Sequence, residues 1–374
     1  MDAFIANTTL RADDFLARFP YASSFTGEQS LAFHQTLPAY KASPLHSLQS
    51  WAIRLGVSQI YLKDEAQRFG IQAFKSLGAS YALHQWLTQN PTTGQVTFCT
   101  ATDGNHGRAV AWAARILGHR AVVFVPQQTV QARIDNIAAQ GAKESVVAGD
   151  YDLAVQTAQQ AAQTNGWHLI QDTAWEGYAQ IPTWIMQGYC THFKELENTL
   201  HPVGKPTIDL VLLQAGVGSW AAAAILYYFQ RYGDNRPKIV VVQSSEADGL
   251  LASAKQGQLT SSTQSGQTQM AGLNCPTPST LAWELISDGA DGLLAISDDW
   301  ALEAMRQLYH QTPSLVAGES GAAGLAGLLA LSQAPHLAEA HQWLGLNPQS
   351  RVLVFNTEGN TDPANFERVV SPKP

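Results

Sequence analysis

Three stretches of this chain carry residues suited to chemistry. They are Ala73-Phe74-Lys75-Ser76-Leu77-Gly78-Ala79, Thr102-Asp103-Gly104-Asn105-His106-Gly107 and Ala215-Gly216-Val217-Gly218-Ser219. Lys75 stands where a helix is predicted to open, and the positive end of the helix dipole disfavours an ammonium there. Its amine is therefore expected to lose a proton more readily than that of a surface lysine. Phe74, Leu77 and Tyr81 add apolar surroundings that push the same way and favour Schiff-base chemistry. A lone lysine is ordinarily solvated, so it is the company of the other two stretches that lifts Lys75 above that reading.

The Gly216-Val217-Gly218-Ser219 loop follows a predicted buried strand and precedes the Ala221–Tyr228 helix, so its amides and the helix N-terminus can hold a phosphate. Gly216, Gly218 and Ala221 also satisfy Gly-x-Gly-x-x-Ala, with Glu246 near the end of the next strand, which keeps a nicotinamide enzyme as a rival and a plain structural turn as a third reading. Thr102 to Gly107 lies at a strand end before a helix; it reads either as a capped glycine turn or as a site where Asn105 offers an amide to a cofactor oxygen and Asp103 a carboxylate to substrate. His106 is read as structural. Taken together, a Schiff-base lysine and a phosphate cradle describe a pyridoxal-phosphate site.

The elements that must position these residues are legible from composition and periodicity. A chain of 374 residues, 45% hydrophobic and 14% charged, has the core of a globular protein of about two domains. A net charge of -8 without a Lys/Arg cluster argues against a nucleic-acid partner. Cys99, Cys190 and Cys275 lack disulfide or zinc spacing, so no metal and a reducing cytoplasm are expected. No signal segment is recognised, and the longest apolar runs are too short to span a bilayer.

From Val96 onward, β-branched runs alternate with Ala-rich helical stretches, the pattern of parallel strands joined by crossover helices. Strands are expected at Val96–Thr100, Ala121–Val125, Ser145–Ala148 and Trp167–Gln171, with helices at Asn105–Leu117, Val130–Gln140 and Tyr151–Thr164. A long helix through Trp184, Tyr189 and Phe193 precedes a second series at Leu210–Leu213, Ile239–Val242, Leu293–Ile296 and Val352–Phe355. Two α/β sheets are implied. The N-terminal part, with a helix around Leu48–Leu55 and a strand at Ile60–Leu62, must join one of them.

These residues, in this order, resemble the diaminopropionate ammonia-lyases, of the tryptophan-synthase β-like (type II) pyridoxal-phosphate enzymes. The likeness covers nearly the whole chain: Phe33-His34-Gln35, Leu62-Lys63-Asp64-Glu65, Arg68-Phe69-Gly70, Ala73-Phe74-Lys75, Thr102 to Arg108, Asp172 to Tyr178, Met270 to Leu273, Gly318 to Gly321 and Thr357-Glu358-Gly359. The Asp172 to Tyr178 run is its most specific part.

The resemblance implies an α/β type II fold of two open, mostly parallel twisted sheets flanked by helices. A large domain of residues 1–92 and 197–374 would enclose a small domain of 93–196, with pyridoxal 5'-phosphate in the cleft between them. It further implies that Lys75 carries the cofactor as a Schiff base, that Asn105 contacts the ring oxygen, and that Gly216, Val217, Gly218 and Ser219 hold the phosphate. The reaction would be α,β-elimination of 2,3-diaminopropionate, both D and L, to pyruvate and two ammonia: an electron-sink cofactor acidifies the α-C–H, and loss of that proton lets the β-amino group leave. Lys75 would take the proton of the L substrate and Asp103 that of the D substrate. Asp172 would bind the second amino group, unless it is an N-cap.

A cytoplasmic homodimer acting on a small amino acid is expected, with a serine or threonine dehydratase-like enzyme as the alternative. The chain departs from the family at Asn356, where the ring-nitrogen contact normally comes from a serine, and at Asn274-Cys275-Pro276-Thr277, a loop expected at the substrate entrance.

Overall fold

The computed structural model describes residues 2–102, 104–149, 151–200 and 206–371. The strands are β1 Ala3–Ala6, β2 Leu45–Ser47, β3 Gln59–Asp64, β4 Thr97–Ala101, β5 Arg120–Pro126, β6 Lys143–Val147, β7 His168–Leu169, β8 Leu210–Gln214, β9 Lys238–Ser244, β10 Gly292–Ile296 and β11 Arg351–Asn356. They form a seven-stranded sheet of order β1-β10-β9-β8-β11-β3-β2 and a four-stranded sheet of order β6-β5-β4-β7. The smaller sheet is wholly parallel. The larger is parallel apart from β1 against β10 and β2 against β3 at its two edges.

All strands of the small sheet fall within residues 97–169, and the large sheet draws on both flanks of that segment. The proposed division at 196/197 lies inside the Gln180–Leu200 helix.

The central strands read as unbroken apolar runs because both faces are covered by helices. Val211 and Leu213 of β8, with Ile239 and Val241 of β9, face one core together with the Lys75–Gln89, Gln180–Leu200 and Ser219–Tyr232 helices. Leu210, Leu212, Val240 and Val242 alternate into a second core against the Asp298–His310 and Ala323–Gln333 helices. The first core also takes in Phe98, Val123 and Val125 of the small sheet, so the two sheets share one packed interior.

The Lys75 helix is fixed from behind by a close helix–helix approach. A Cβ on Gly78 would sit 2.5 Å from Tyr189 Cε1, and one on Gly188 would sit 2.5 Å from the Leu77 carbonyl oxygen, so glycine is required at both contact points. Buried His34 adds a clamp, with Nε2 3.0 Å from the Leu77 oxygen and Nδ1 2.6 Å from Thr191 Oγ1. Burial, followed by the Arg68 charge, pushes the His34 pKa down to about 3, so the neutral ring donates from Nε2 and accepts at Nδ1.

Candidate active site

The functional side chains sit where parallel strands end, and the C-terminal edges of both sheets meet at one cleft. β8 leads into Gly216–Ser219, β11 into Thr357 and Glu358, and β4 into Thr102 and Asn105. β7 is followed by Asp172, and β3 by the loop to Lys75. That last loop carries Phe69 and Gln72 at φ of 51° and 56°, costly for residues with side chains. It is held by Glu65 N–H to the Asn356 oxygen (2.8 Å), Phe74 N–H to the Thr357 oxygen (3.2 Å) and Gly359 N–H to the Gln72 oxygen (2.9 Å). Lys75 therefore emerges from a segment laced to the end of β11.

In the cleft, Lys75 Nζ donates to Asp172 Oδ2 at 2.6 Å. Burial alone favours the neutral amine, but the adjacent carboxylate outweighs it and holds the ammonium above the ordinary lysine range. The expectation of an easily deprotonated Lys75 is thus reversed in the protein as it stands: a helix end carries about half a charge, and Asp172 brings a whole one into contact. Burial opposes ionisation of Asp172 too, yet the electrostatic influence of His106 and Lys75, with the Lys75 hydrogen bond, holds its pKa down to about 2.

His106, read as structural from sequence, lines this cleft. Its Nε2 is 2.8 Å from the Ile170 carbonyl oxygen. Its Nδ1, 3.7 Å from Asp172 Oδ2, is buried without a hydrogen-bond partner.

The Asp172 run is bolted to the glycine loop. Ser219 Oγ donates to the Asp172 carbonyl oxygen at 2.6 Å, and Ala174 N–H donates to Ser279 Oγ at 2.9 Å. Trp175 and Tyr178 stack with ring centroids 4.3 Å apart, and Tyr178 Oη donates to the Leu169 oxygen at 2.8 Å. In the loop itself Gly218 takes φ +96°, which favours glycine. The amides of Gly216, Val217, Gly218 and Ser219 have no protein acceptor among the described residues.

This donor set fits a phosphorylated aldehyde. Four amides at the start of the Ser219–Tyr232 helix can take an anion, and a lysine amine stands across the cleft for a carbonyl.

The cleft thus brings together Lys75, Asp172, Asn105 and Gly216–Ser219. Asp103 lies outside the described residues. Asn356 does not line the cleft; its Nδ2 donates to Asp64 Oδ1 (2.8 Å) and the Val316 oxygen (2.9 Å), and Thr357 faces the space instead. Sequence reasoning named no role for Thr357, Glu358, Ser320, Gln214 or Tyr151, which also line it. The signal for the first two was present, since Thr357-Glu358-Gly359 belongs to the matching stretches. Glu246 bonds Ser265 Oγ at 2.5 Å and takes no part in the cleft, which removes the acidic partner a dinucleotide site needs. No helix of the described residues is long and apolar enough to cross a membrane, and no group of three His, Cys, Asp or Glu among them is placed to hold a metal.

Comparison with known proteins agrees with this geometry. A family model described as "Pyridoxal-phosphate dependent enzyme" matches residues 36–349. The chain is 39% identical over 369 residues to the diaminopropionate ammonia-lyase of Salmonella typhimurium, spanning 92% of this chain and 91% of that protein. The crystal structure of the Escherichia coli diaminopropionate ammonia lyase in complex with an aminoacrylate–PLP azomethine reaction intermediate matches with a TM-score of 0.89 at 37% identity, covering 99% of this chain and 97% of that one. The same Escherichia coli enzyme in complex with D-serine matches with a TM-score of 0.89 at 36% identity, over 99% and 97% of the two chains.

Proposed function

Since the chain belongs to the pyridoxal-phosphate-dependent enzyme family, in its diaminopropionate ammonia-lyase branch, we propose that it converts 2,3-diaminopropionate, D and L, and water into pyruvate and two ammonia. It is a carbon–nitrogen lyase, and this reading holds over the serine or threonine dehydratase alternative because relatives of the first kind match it at 39% and 37% identity across more than nine-tenths of its length, against 29% and 20% for dehydratases and deaminases. The observation that carries the reading is the Lys75–Asp172 pair at 2.6 Å, facing the open amides of Gly216–Ser219.

When bound, pyridoxal phosphate supplies an electron sink that acidifies the substrate α-C–H. Lys75 anchors it, the Gly216–Ser219 amides neutralise its phosphate, and Asn105 donates to its ring oxygen. The ring nitrogen would lie toward Thr357, which lines the cleft where Asn356 does not. Once the Lys75 nitrogen is engaged elsewhere, the ionised Asp172 carboxylate is left without its cation. The second ammonium of diaminopropionate restores one at the same place, an argument that serine does not satisfy. Lys75 moves the α-proton on one face of the cofactor plane and Asp103 on the other, the latter assignment resting on sequence. We also propose a cytoplasmic homodimer, supported by the resemblance and by three cysteines outside any disulfide.

The test is pyruvate release from D- and L-2,3-diaminopropionate and from L-serine, with the visible spectrum recorded in parallel. We expect turnover of both diaminopropionate enantiomers with kcat/KM far above that for serine, and loss of both turnover and the bound-cofactor absorption band in Lys75→Ala. A preference for serine overturns the substrate assignment. An Asp103→Asn protein should lose D turnover while keeping L turnover; equal loss of both overturns the division of labour.

A further inference from the structure

Glu358 is a buried carboxylate that none of the roles above employs. It is 2% exposed, at the end of β11, and its Oε2 accepts from Asn105 Nδ2 while its Oε1 lies 3.3 Å from the Ser320 backbone N–H. On the other side of the same amide stands Arg108, 5% exposed, whose Nη2 donates to Asn105 Oδ1 at 3.1 Å and whose Nε has no partner. A carboxylate and a guanidinium therefore bracket one asparagine. The carboxylate must receive the N–H and the guanidinium must receive the oxygen, so the two charges leave the amide a single orientation. Burial lowers the Arg108 pKa to about 10, and the Glu358 carboxylate is the charge that opposes this fall. The amide nitrogen has a second N–H with no protein acceptor among the described residues, and Asn105 lines the cleft.

We propose that Glu358 and Arg108 are positioning residues that fix the Asn105 amide by opposite charges, so that its spare N–H is presented to an anionic ring oxygen of the cofactor and not its carbonyl. The inference rests on the pyridoxal-phosphate reading above and goes beyond it, because it assigns work to two residues that act through Asn105. The arrangement also ties the small sheet to the large one, since Asn105 opens the helix after β4 and Glu358 follows β11.

Removing the charge at position 358 should turn the amide. In Glu358→Gln the new side-chain oxygen is claimed by the Ser320 N–H, which leaves an NH2 facing Asn105 and forces the asparagine to present its oxygen there.

The experiment is a double-mutant cycle on the affinity of apoenzyme for pyridoxal phosphate, followed by quenching of protein fluorescence, since Trp220 lines the cleft. Glu358→Gln should weaken binding by about tenfold, the scale of one charge-assisted hydrogen bond. The Asn105→Ala/Glu358→Gln protein should bind no more weakly than Asn105→Ala, and the two single variants should shift the absorption bands of the bound cofactor in the same direction. Losses that multiply in the double variant, or wild-type affinity and spectrum in Glu358→Gln, overturn the proposal while leaving the cofactor reading intact. Failure of the wild-type apoenzyme to bind pyridoxal phosphate overturns both. If Glu358→Gln does not fold, Arg108→Met paired with Asn105→Ala runs the same cycle from the cationic side, with the same expected and overturning results.

Discussion

At Lys75 two opposing effects are large, and the structure decides between them. Burial favours a neutral amine, and the Asp172 carboxylate 2.6 Å away overrides it. In Asp172→Asn the largest influence opposing burial is gone and only the weaker ones of Tyr189 and Cys275 remain, so the Lys75 pKa should fall. Borohydride trapping of pyridoxal phosphate on the apoenzyme as a function of pH measures this; the half-maximal pH should be lower in the variant, and an unchanged profile would show that the pair does not control the amine. The same pair carries a stability term of known sign. Asp172 has its pKa depressed from 3.8 to about 2 in the folded state. It therefore contributes stability above its unfolded pKa that is lost as pH falls through the folded one, about 2 kcal/mol for a shift of this size. Asp172→Asn should flatten the dependence of unfolding free energy on pH between about 4 and 2, where the wild type loses stability.

At the scale of elements, the glycine loop and the helix behind it act as one anion-binding unit. A Cβ at Gly218 would meet Ile286 Cδ1 at 2.9 Å and Ala282 Cβ at 3.1 Å, on a backbone with φ +96° that already disfavours a side chain. Gly218→Ala should displace the loop amides and weaken pyridoxal-phosphate binding by tenfold or more, with little effect on pyridoxal, which lacks the phosphate; equal weakening of both would place the damage elsewhere. This unit was legible in sequence because strand, glycines and helix are contiguous. For the same reason β8, β9, β10 and β11 fall within about two residues of the apolar runs that announced them.

What could not be read depends on distant partners. The short edge strand β1 exists only because Ala3–Ala6 pairs with Gly292–Ala295. Lys75 and Asp172 are 97 residues apart, so the protonation of the lysine was argued from its helix alone and came out reversed. Asn105 and Glu358 are 253 apart, and a local motif gives no hint that one orients the other. Asn356 Nδ2 is held by Asp64 on β3, 292 residues away, a partner that the motif around Asn356 does not announce.

At the scale of the molecule, an ion cluster joins the N-terminal segment to the Gln180–Leu200 helix beneath the shared core. Lys63 Nζ lies 2.8 Å from Glu195 Oε2, and Arg68 lies 2.7 Å from Glu65 and 2.8 Å from Glu195, all four residues at most 3% exposed. The cluster reaches the cleft through His192, whose Nε2 accepts from Trp220 Nε1 at 2.8 Å, Trp220 being the residue after Ser219. Two cations and two carboxylates balance, and balance is what makes such burial tolerable.

Glu195→Gln leaves Lys63 and Arg68 sharing one carboxylate out of reach of water, and should destabilise by about 3–5 kcal/mol. A Lys63→Met/Glu195→Gln protein removes one charge of each sign and keeps the Arg68–Glu65 pair neutral, so it should be more stable than Glu195→Gln alone even though it carries one more substitution. Urea unfolding of the two variants and the wild type checks the order. A double variant at or below the single one would mean that the cluster stabilises through its particular hydrogen bonds, and that charge balance at the base of the cleft is secondary.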